Sequence, residues 1–366
     1  MHIVIDARSR PDSTGKYIDR LLEHLQVIDE INSYTVLIRP EDEWRPKANN
    51  FQAKSIVYKK FASNPLEHIT FAWFLYKLRP NLVHFAMTPQ EPLFFFGKRV
   101  TTTHDLTMLH FARPGRRSKI LHQIRMTTYR VLFWIAHRKA SRIIVPTKYV
   151  KQDLSELHGF TKSKIVVTYE SSEPPIKIKP EPLNGVGKLF ILHVGSPFPH
   201  KNIDRLINSF EILKQKHPSM QLVLAGKKEF YFEELERSLV NNPVRNSIVI
   251  PGFVSDSELK WLYQNAAAYV LPSESEGFGL PGLEAMSHGC PLISSNATCL
   301  PEVYGDAATY FNPLDINAMS KAISSVITDQ VLRNKLTERG YERLKLYSWE
   351  KMARETLEVY ESVSSS

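Results

Sequence analysis

Short apolar runs alternate with amphipathic segments from one end of this 366-residue chain to the other, and that rhythm restricts the fold more than any single motif does. The runs are HIVIDA, YTVLI, NLVHFA, RVTTTHD and RIIVPT, followed by KLFILHVG, QLVLAG, SIVIPG, AAYVLPS, CPLISSN and ATYFNP. Between them lie segments of helical period such as KYIDRLLEHLQVI, NIDRLINSFEILKQKH and DSELKWLYQNA. The apolar runs are continuous, without polar residues at every second position, which is what a strand buried on both faces requires. Parallel sheets flanked by helices meet that requirement.

The rhythm occurs twice. Residues 169–188, YESSEPPIKIKPEPLNGVGK, separate the two series with prolines, glycines and charges that interrupt both periods, as an interdomain linker does. The expected architecture is α/β, with two Rossmann-like, doubly wound parallel-sheet domains over residues 1–172 and 188–348 and a linker at 173–187. A chain of this length agrees with two cores better than with one.

Open parallel sheets bind ligands at the carboxyl ends of their strands, where loops and helix N-termini direct main-chain N–H groups outward. Two such domains in tandem would form a cleft. The residues that contribute least to packing follow strands: residues 6–15, His104 with Asp105, residues 195–201, and residues 273–285, SESEGFGLPGLEA. In HVGSPFPHKNIDRLI a glycine closes a strand, and Lys201 and Asn202 stand where a helix should start. That suits a phosphate or diphosphate. A solvated helix start with an exposed lysine fits the same residues, because neither a Walker sequence nor a Gly-x-Gly-x-x-Gly turn is present. In SEGFGLPGLEA, Gly277 and Gly279 let the backbone approach a ligand closely and Pro281 suits a first helical turn. Glu284 would lie one turn into that helix, with Glu276 at its mouth. Paired carboxylates serve glycosidases, which place one on each side of the scissile bond. Amides exposed by glycine point instead to a bound anion, with the acids accepting from hydroxyls. A nucleotide sugar offers both groups.

Charge is unevenly placed. Residues 97–151 hold thirteen Lys or Arg against the single acid Asp105, a net +12, which leaves −3 for the rest of a chain whose total is +9. A polyanionic neighbour is implied: nucleic acid, anionic lipid or a phosphorylated substrate. Phe111, Tyr129, Phe133 and Trp134 recur at helical spacing and do not form a strand platform for stacking bases, so no nucleic-acid partner is expected. ILHQIRMTTYRVLFWIAHRKASR mixes apolar and basic residues as interfacial helices do. Arg113, Arg116, Arg117 and Lys119 are therefore assigned to a membrane or acceptor face, with much of the segment's apolar side turned to the core; an ordinary solvated helix face is the alternative. Cys290 and Cys299 are expected as free thiols, too few for a cysteine metal site. The opening MHIVIDAR reads as a buried strand and not as a signal peptide or spanning helix, which gives a cytoplasmic expectation, with peripheral attachment at the inner face of the cell membrane.

Residues 252–313, GFVSDSELKWLYQNAAAYVLPSESEGFGLPGLEAMSHGCPLISSNATCLPEVYGDAATYFNP, resemble the signature of retaining GT-B glycosyltransferases of family 4, whose Glu-x7-Glu pair is Glu276 and Glu284 here. VGSPFPHKN is similar to that family's diphosphate loop, TTTHDL to its N-domain histidine loop, and IDARSRPDSTGKYIDRLL to its first-strand loop. YSWEKMARETLEVY resembles the closing helix that returns to the first domain, so residues 349–366 are expected there. The resemblance implies that Glu276 holds donor-sugar hydroxyls and Glu284 the ribose. It gives the sugar and diphosphate to Lys201 and to the backbone of Gly195, Ser196, Gly277, Phe278, Gly279 and Leu280. Val254 would border the base, His104 would meet the sugar from the opposite domain, and Gly15 would approach the phosphates or the acceptor. His104, Glu276 and Lys201 are the residues it assigns to catalysis. Two departures lower the charge at the leaving group: Ser196 and His200 stand where many relatives carry arginine. The first loop is also shorter than usual.

By this likeness to bacterial mannosyltransferase-like members, a hexose, with mannose favoured, would pass with retention from GDP-mannose, or from a UDP-sugar, to a glycan or lipid-linked acceptor in cell-surface polysaccharide or glycolipid synthesis. No Asp-x-Asp occurs, in keeping with metal-independent transfer without further cofactor. A sugar-nucleotide epimerase or a glycosyl phosphorylase on a related fold is the alternative reading.

Overall fold

The computed structural model describes residues 1–366 apart from 12–13, 59–64, 112–118, 174, 176 and 365–366. They gather into two compact units, one from residues 1–109, 119–170 and 348–364 and the other from 110–111 and 171–347. The first is built on a parallel sheet of seven strands: β1 (His2–Asp6), β2 (Ser33–Ile38), β3 (Phe51–Ser55), β4 (Leu82–Phe85), β5 (Arg99–Thr102), β6 (Arg142–Val145) and β7 (Ile165–Val167), in the order β3-β2-β1-β4-β5-β6-β7. The second has six: β8 (Phe190–Val194), β9 (Gln221–Ala225), β10 (Ile248–Gly252), β11 (Ala268–Leu271), β12 (Leu292–Ser295) and β13 (Ala308–Phe311), in the order β10-β9-β8-β11-β12-β13.

Both sheets are doubly wound. Each starts in the middle, proceeds to one edge, then crosses back to the other half, so strand order reverses between β1 and β4 and again between β8 and β11. The crevice above such a reversal is where open α/β sheets take ligands. The apolar runs of the sequence correspond to all the strands except β3 and β7, the two edges of the first sheet. An edge strand is covered on fewer sides, and FQAKS, with only Phe51 buried, carries no continuous apolar signal.

In the second unit the helices Ile203–Lys216 and Ile316–Thr328 pack Leu206, Phe210, Met319 and Ile323 against Ile191, Leu222, Val270 and Ile293 of the strands. Residues 178–181, within the expected linker, are bound to this unit: the Lys260 ammonium donates to the Ile178 carbonyl at 3.0 Å, and the Glu181 amide to the Ser257 carbonyl at 3.1 Å. In the first unit the helix Trp349–Ser364 packs against the helix Gly15–Ile28. Its fully buried Tyr360 places a hydroxyl 2.6 Å from Nδ1 of His84 on β4, and Nε2 of that ring lies 2.8 Å from the Thr102 hydroxyl on β5. Among the described residues no helix is long and apolar enough to cross a membrane.

Candidate active site at the reversal of the second sheet

The loops that leave β8 and β11 are fastened to each other. After β8 the chain turns at Gly195, with φ of +138°, and runs through a tight turn, Pro199–Lys201, to Asn202, with φ of +59°. Asparagine tolerates that left-handed conformation. Its side-chain amide donates to the Pro272 carbonyl at 3.0 Å and the Pro313 carbonyl at 2.8 Å. Arg205 donates to the Asn202 side-chain oxygen at 2.8 Å and to Glu274 at 2.7 Å, and the Glu274 amide donates to the His200 carbonyl at 2.8 Å. Lys201 thus sits two residues ahead of the helix Ile203–Lys216, not at its first turn, and the second loop is held within reach of its side chain.

The result is a close ion pair. Nζ of Lys201 donates to Oε1 of Glu276 at 2.6 Å, and the same oxygen accepts from the Ser273 hydroxyl at 2.7 Å. The two side chains are only 18% and 11% exposed. The backbone of Glu276 is fixed as well: its amide donates to the Thr298 hydroxyl at 3.2 Å, and its carbonyl accepts from Sγ of Cys299 at 3.2 Å. Cys299 and Cys290 are both free and buried, and burial pushes the Cys290 thiol up to about 12.

Gly279 starts the helix Leu280–Ser287 with φ of +88°, and a Cβ there would lie 2.3 Å from the Tyr304 hydroxyl and 2.8 Å from Cδ2 of Leu300. That hydroxyl donates to the Gly279 carbonyl. Phe278 is buried with its ring edge-on to Tyr347 at 5.5 Å, so only its backbone is left to meet a ligand. Gly277 and Leu280, on either side, are half-buried, as are Gly195 and Ser196 on the facing loop. Glu284 lies one turn into the helix, half-buried; its charge, after burial, raises the pKa of Tyr263 well above the usual phenol range. Val254 is half-buried just before Ser255, which caps the helix Asp256–Asn265. Beneath the first loop, His193 on β8 places Nδ1 3.0 Å from the Val270 carbonyl, while its buried Nε2 has no hydrogen-bond partner. Burial pushes this ring down to about 4; the Val270 carbonyl opposes the shift and the charge of Lys201 adds to it.

The other assigned residues belong to the first unit. His104 follows β5, with Nδ1 3.2 Å from Oε1 of Glu170 and Nε2 3.0 Å from the Ala86 carbonyl at the end of β4. The Tyr17 ring stands edge-on to it at 4.8 Å. Burial disfavours the charged imidazole, but the hydrogen bond and charge of Glu170 outweigh burial, aided by Ala86 and Asp105, and the His104 pKa is raised. A Cβ on Gly15 would lie 1.9 Å from the Arg10 carbonyl, so close packing of its own loop already explains the glycine. Arg113, Arg116 and Arg117 lie outside the described residues, and Lys119 is described only as the start of the helix Lys119–Lys139.

Sequence reading named Asn202 only as part of a helix start and passed over the other residues that hold these groups in place. Glu170 sits in the stretch taken for the domain break, and Ser273, Asn202, Thr298 and Tyr304 act through positions that folding alone brings together. Asn202 had a readable signal, because asparagine directly before a helical period is a candidate for a left-handed turn. Among the described residues no group of three or more His, Cys, Asp or Glu is arranged to hold a metal ion.

Residues 17–170 match the family model described as Glycosyltransferase Family 4, and residues 176–343 the one described as Glycosyl transferases group 1. The chain is 36% identical over 175 residues to O-antigen chain mannosyltransferase B of Escherichia coli, a match covering 47% of this chain and 45% of that protein. It is 28% identical over 203 residues to O-antigen chain mannosyltransferase RfbU of Salmonella typhimurium, covering 56% of each. The chain thus spans about half the length of these curated relatives. Among solved structures, sucrose-phosphate synthase from Thermosynechococcus elongatus superposes with a TM-score of 0.76 at 18% identity, over 99% of this chain and 98% of that one. Anabaena HepE in complex with UDP and glucose superposes with a TM-score of 0.73 at 17% identity, over 98% and 99%. The fold is that of the GT-B glycosyltransferases.

Proposed function

Because the chain belongs to the group 1, family 4 glycosyltransferases, we propose that it transfers a hexose, with mannose favoured, from a nucleoside-diphosphate sugar to a glycan or lipid-linked acceptor in surface polysaccharide or glycolipid synthesis. The observation that carries this reading is the Lys201–Glu276 pair above the β8–β11 reversal. A nucleotide sugar supplies a partner for each member. Its diphosphate takes the ammonium, and its sugar hydroxyls donate to the carboxylate, which Ser273 and the Thr298 and Cys299 contacts keep in position. Binding therefore exchanges one compact ion pair for two charge-assisted contacts.

In the reaction, negative charge grows on the diphosphate as the glycosidic bond breaks. Lys201 and the backbone amides of Phe278, Gly279 and Leu280 are the groups proposed to stabilise it, already oriented before reaction. Ser196 adds no charge where many relatives have arginine, so Lys201 carries a larger share. Glu284 is assigned to the ribose and Val254 to the edge of the base. His104 is assigned a fixed charge beside the sugar, and transfer is taken to retain configuration, without a metal. The donor base is proposed as guanine, on the mannosyltransferase names of the relatives; HepE was solved with UDP and glucose, which makes uracil the competing choice.

A thermal-shift series with GDP, UDP, GDP-mannose and UDP-glucose tests the donor, since a ligand that binds only the folded chain raises its melting temperature. GDP-mannose should shift the transition most, and the Lys201→Ala variant should lose that shift. Equal melting with and without every nucleotide would overturn the reading.

A further inference from the structure

A groove of about 460 Å³ lies along the helix Gly15–Ile28 of the first unit, and no residue that lines it has a part in the proposed transfer. Its second wall is the segment 39–50, which carries the chain from the end of β2 to the start of β3. Asp19, Glu23 and Val27 stand four residues apart and so share one side of the helix, over a length of about 12 Å. Trp44, Arg45 and Lys47 line the groove from the segment.

The walls are tied together at both ends. Oε1 of Gln26 accepts from the Lys47 amide at 2.6 Å and the Ala48 amide at 3.2 Å, while its Nε2 donates to the Leu22 carbonyl at 3.0 Å. That fastens the segment to the helix. Towards the other end, the buried Asp42 accepts from the Trp44 amide at 3.0 Å and from the Arg10 guanidinium, which also pairs with Asp19. Arg10 belongs to the loop that leaves β1, so the groove is joined to the β1–β4 reversal. The arginines also orient the acids. Arg10 takes Oδ1 of Asp19 and Arg20 takes Oε2 of Glu23, which turns one oxygen of each to its arginine and leaves Oδ2 and Oε1 to accept from a ligand. These two side chains are 46% and 52% exposed.

We propose that this groove binds a sugar residue of a glycan chain, apart from the transfer site. Its chemistry selects a neutral polyol. Asp19 and Glu23 balance Arg45 and Lys47, so the lining favours neither a phosphate nor a cation. Hydroxyl groups can donate to the two carboxylates and accept from the arginine and lysine. The C–H face of a pyranose is apolar and suits the half-buried Trp44 and the exposed Val27. An apolar peptide would instead cover four charges without pairing them. The volume falls within the range of about 300–1,000 Å³ for small-molecule sites, which are mostly formed in advance as this one is. The inference deepens the proposed function and rests on it for the source of the sugar: an acceptor glycan engaged at the loop that leaves β1 would extend into the groove.

Saturation-transfer NMR on the full chain without nucleotide tests this, with α-linked mannotriose and maltotriose as probes. The wild type should bind at least one of them. Trp44→Ala and Glu23→Gln change side chains that are not buried and should melt like the wild type, yet each should weaken that binding by about tenfold. A wild type that binds neither trisaccharide, or variants that bind as the wild type does, overturns the inference. The melting shift with GDP-mannose separates the two readings: both groove variants should keep it, whereas Lys201→Ala should lose it and still bind the trisaccharide. Trisaccharide binding that disappears in Lys201→Ala would assign the sugar to the transfer site and overturn the groove.

Discussion

The carboxylate of Glu170 lies 3.2 Å from Nδ1 of His104, whose Nε2 faces the Ala86 carbonyl at 3.0 Å, so both ring nitrogens address acceptors. A neutral imidazole can donate to only one of them. The geometry therefore holds His104 as an imidazolium, in agreement with its raised pKa. Such a histidine is a fixed charge and has no lone pair left to act as a base. Activity should fall as pH rises through the raised value, and Glu170→Gln should move that limb to lower pH and slow transfer about tenfold or more near pH 8. An unmoved alkaline limb in the variant would show that Glu170 leaves the histidine's charge unaffected.

Lys201→Ala should slow transfer by about 10²-fold, the scale of losing one preorganised electrostatic partner. Because Lys201 and Glu276 touch, the Lys201→Ala/Glu276→Gln double variant should lose less than the two single losses combined. Strictly additive losses in kcat/KM would mean that the two side chains act separately.

Gly279→Ala should destabilise the second unit by about 2–3 kcal/mol, from the left-handed backbone and the clash with Tyr304 together. Adding Tyr304→Phe should restore only part, because the hydroxyl's contact disappears while Leu300 still crowds the site. Urea unfolding measures both, and a Gly279→Ala midpoint equal to wild type would refute the argument.

Acid should destabilise the protein well before its carboxylates titrate. Burial pushes His84 down to about 3, with the charge of His104 adding, and His137 to about 3, with His158 adding; His193 goes to about 4. Unfolded, each takes up a proton below its ordinary value near 6.5, so the stability these rings confer is complete above that pH and is lost as pH falls towards the folded values. His104 has the opposite sign: its raised value favours the fold below 6.5, and that contribution is lost as pH rises through the folded pKa. Burial also lowers His68 and His158, so five rings against one should bring the melting temperature down steadily from about pH 7 to about pH 5. A flat profile would contradict the burial assigned to them.

The sheets were readable because a strand covered on both faces must be mostly apolar, as β1, β4, β8 and β11 are, with Asp6, His84 and His193 as buried polar exceptions. β3 and β7 escaped notice because an edge needs no such run. Lys201 and Glu276 were legible one at a time, each in the loop that follows a strand, whereas their pairing depends on Asn202 reaching two carbonyls more than sixty residues away. Glu170 was hidden by the prolines that follow it. Periodicity marked the basic segment that holds the helix Lys119–Lys139 as helical, but it could not tell which of its faces meets the solvent.

The helix Trp349–Ser364 belongs to the first unit although every other part of that unit precedes residue 171. During synthesis the sheet of residues 2–167 must therefore wait, with His84 and the helix Gly15–Ile28 lacking their cover, while the whole second unit leaves the ribosome. The order of emergence and the order of completion are thus inverted: the unit made first is finished last. Contacts this distant in sequence close slowly, so the interval before Tyr360 arrives is the one in which a nascent chain most needs a chaperone.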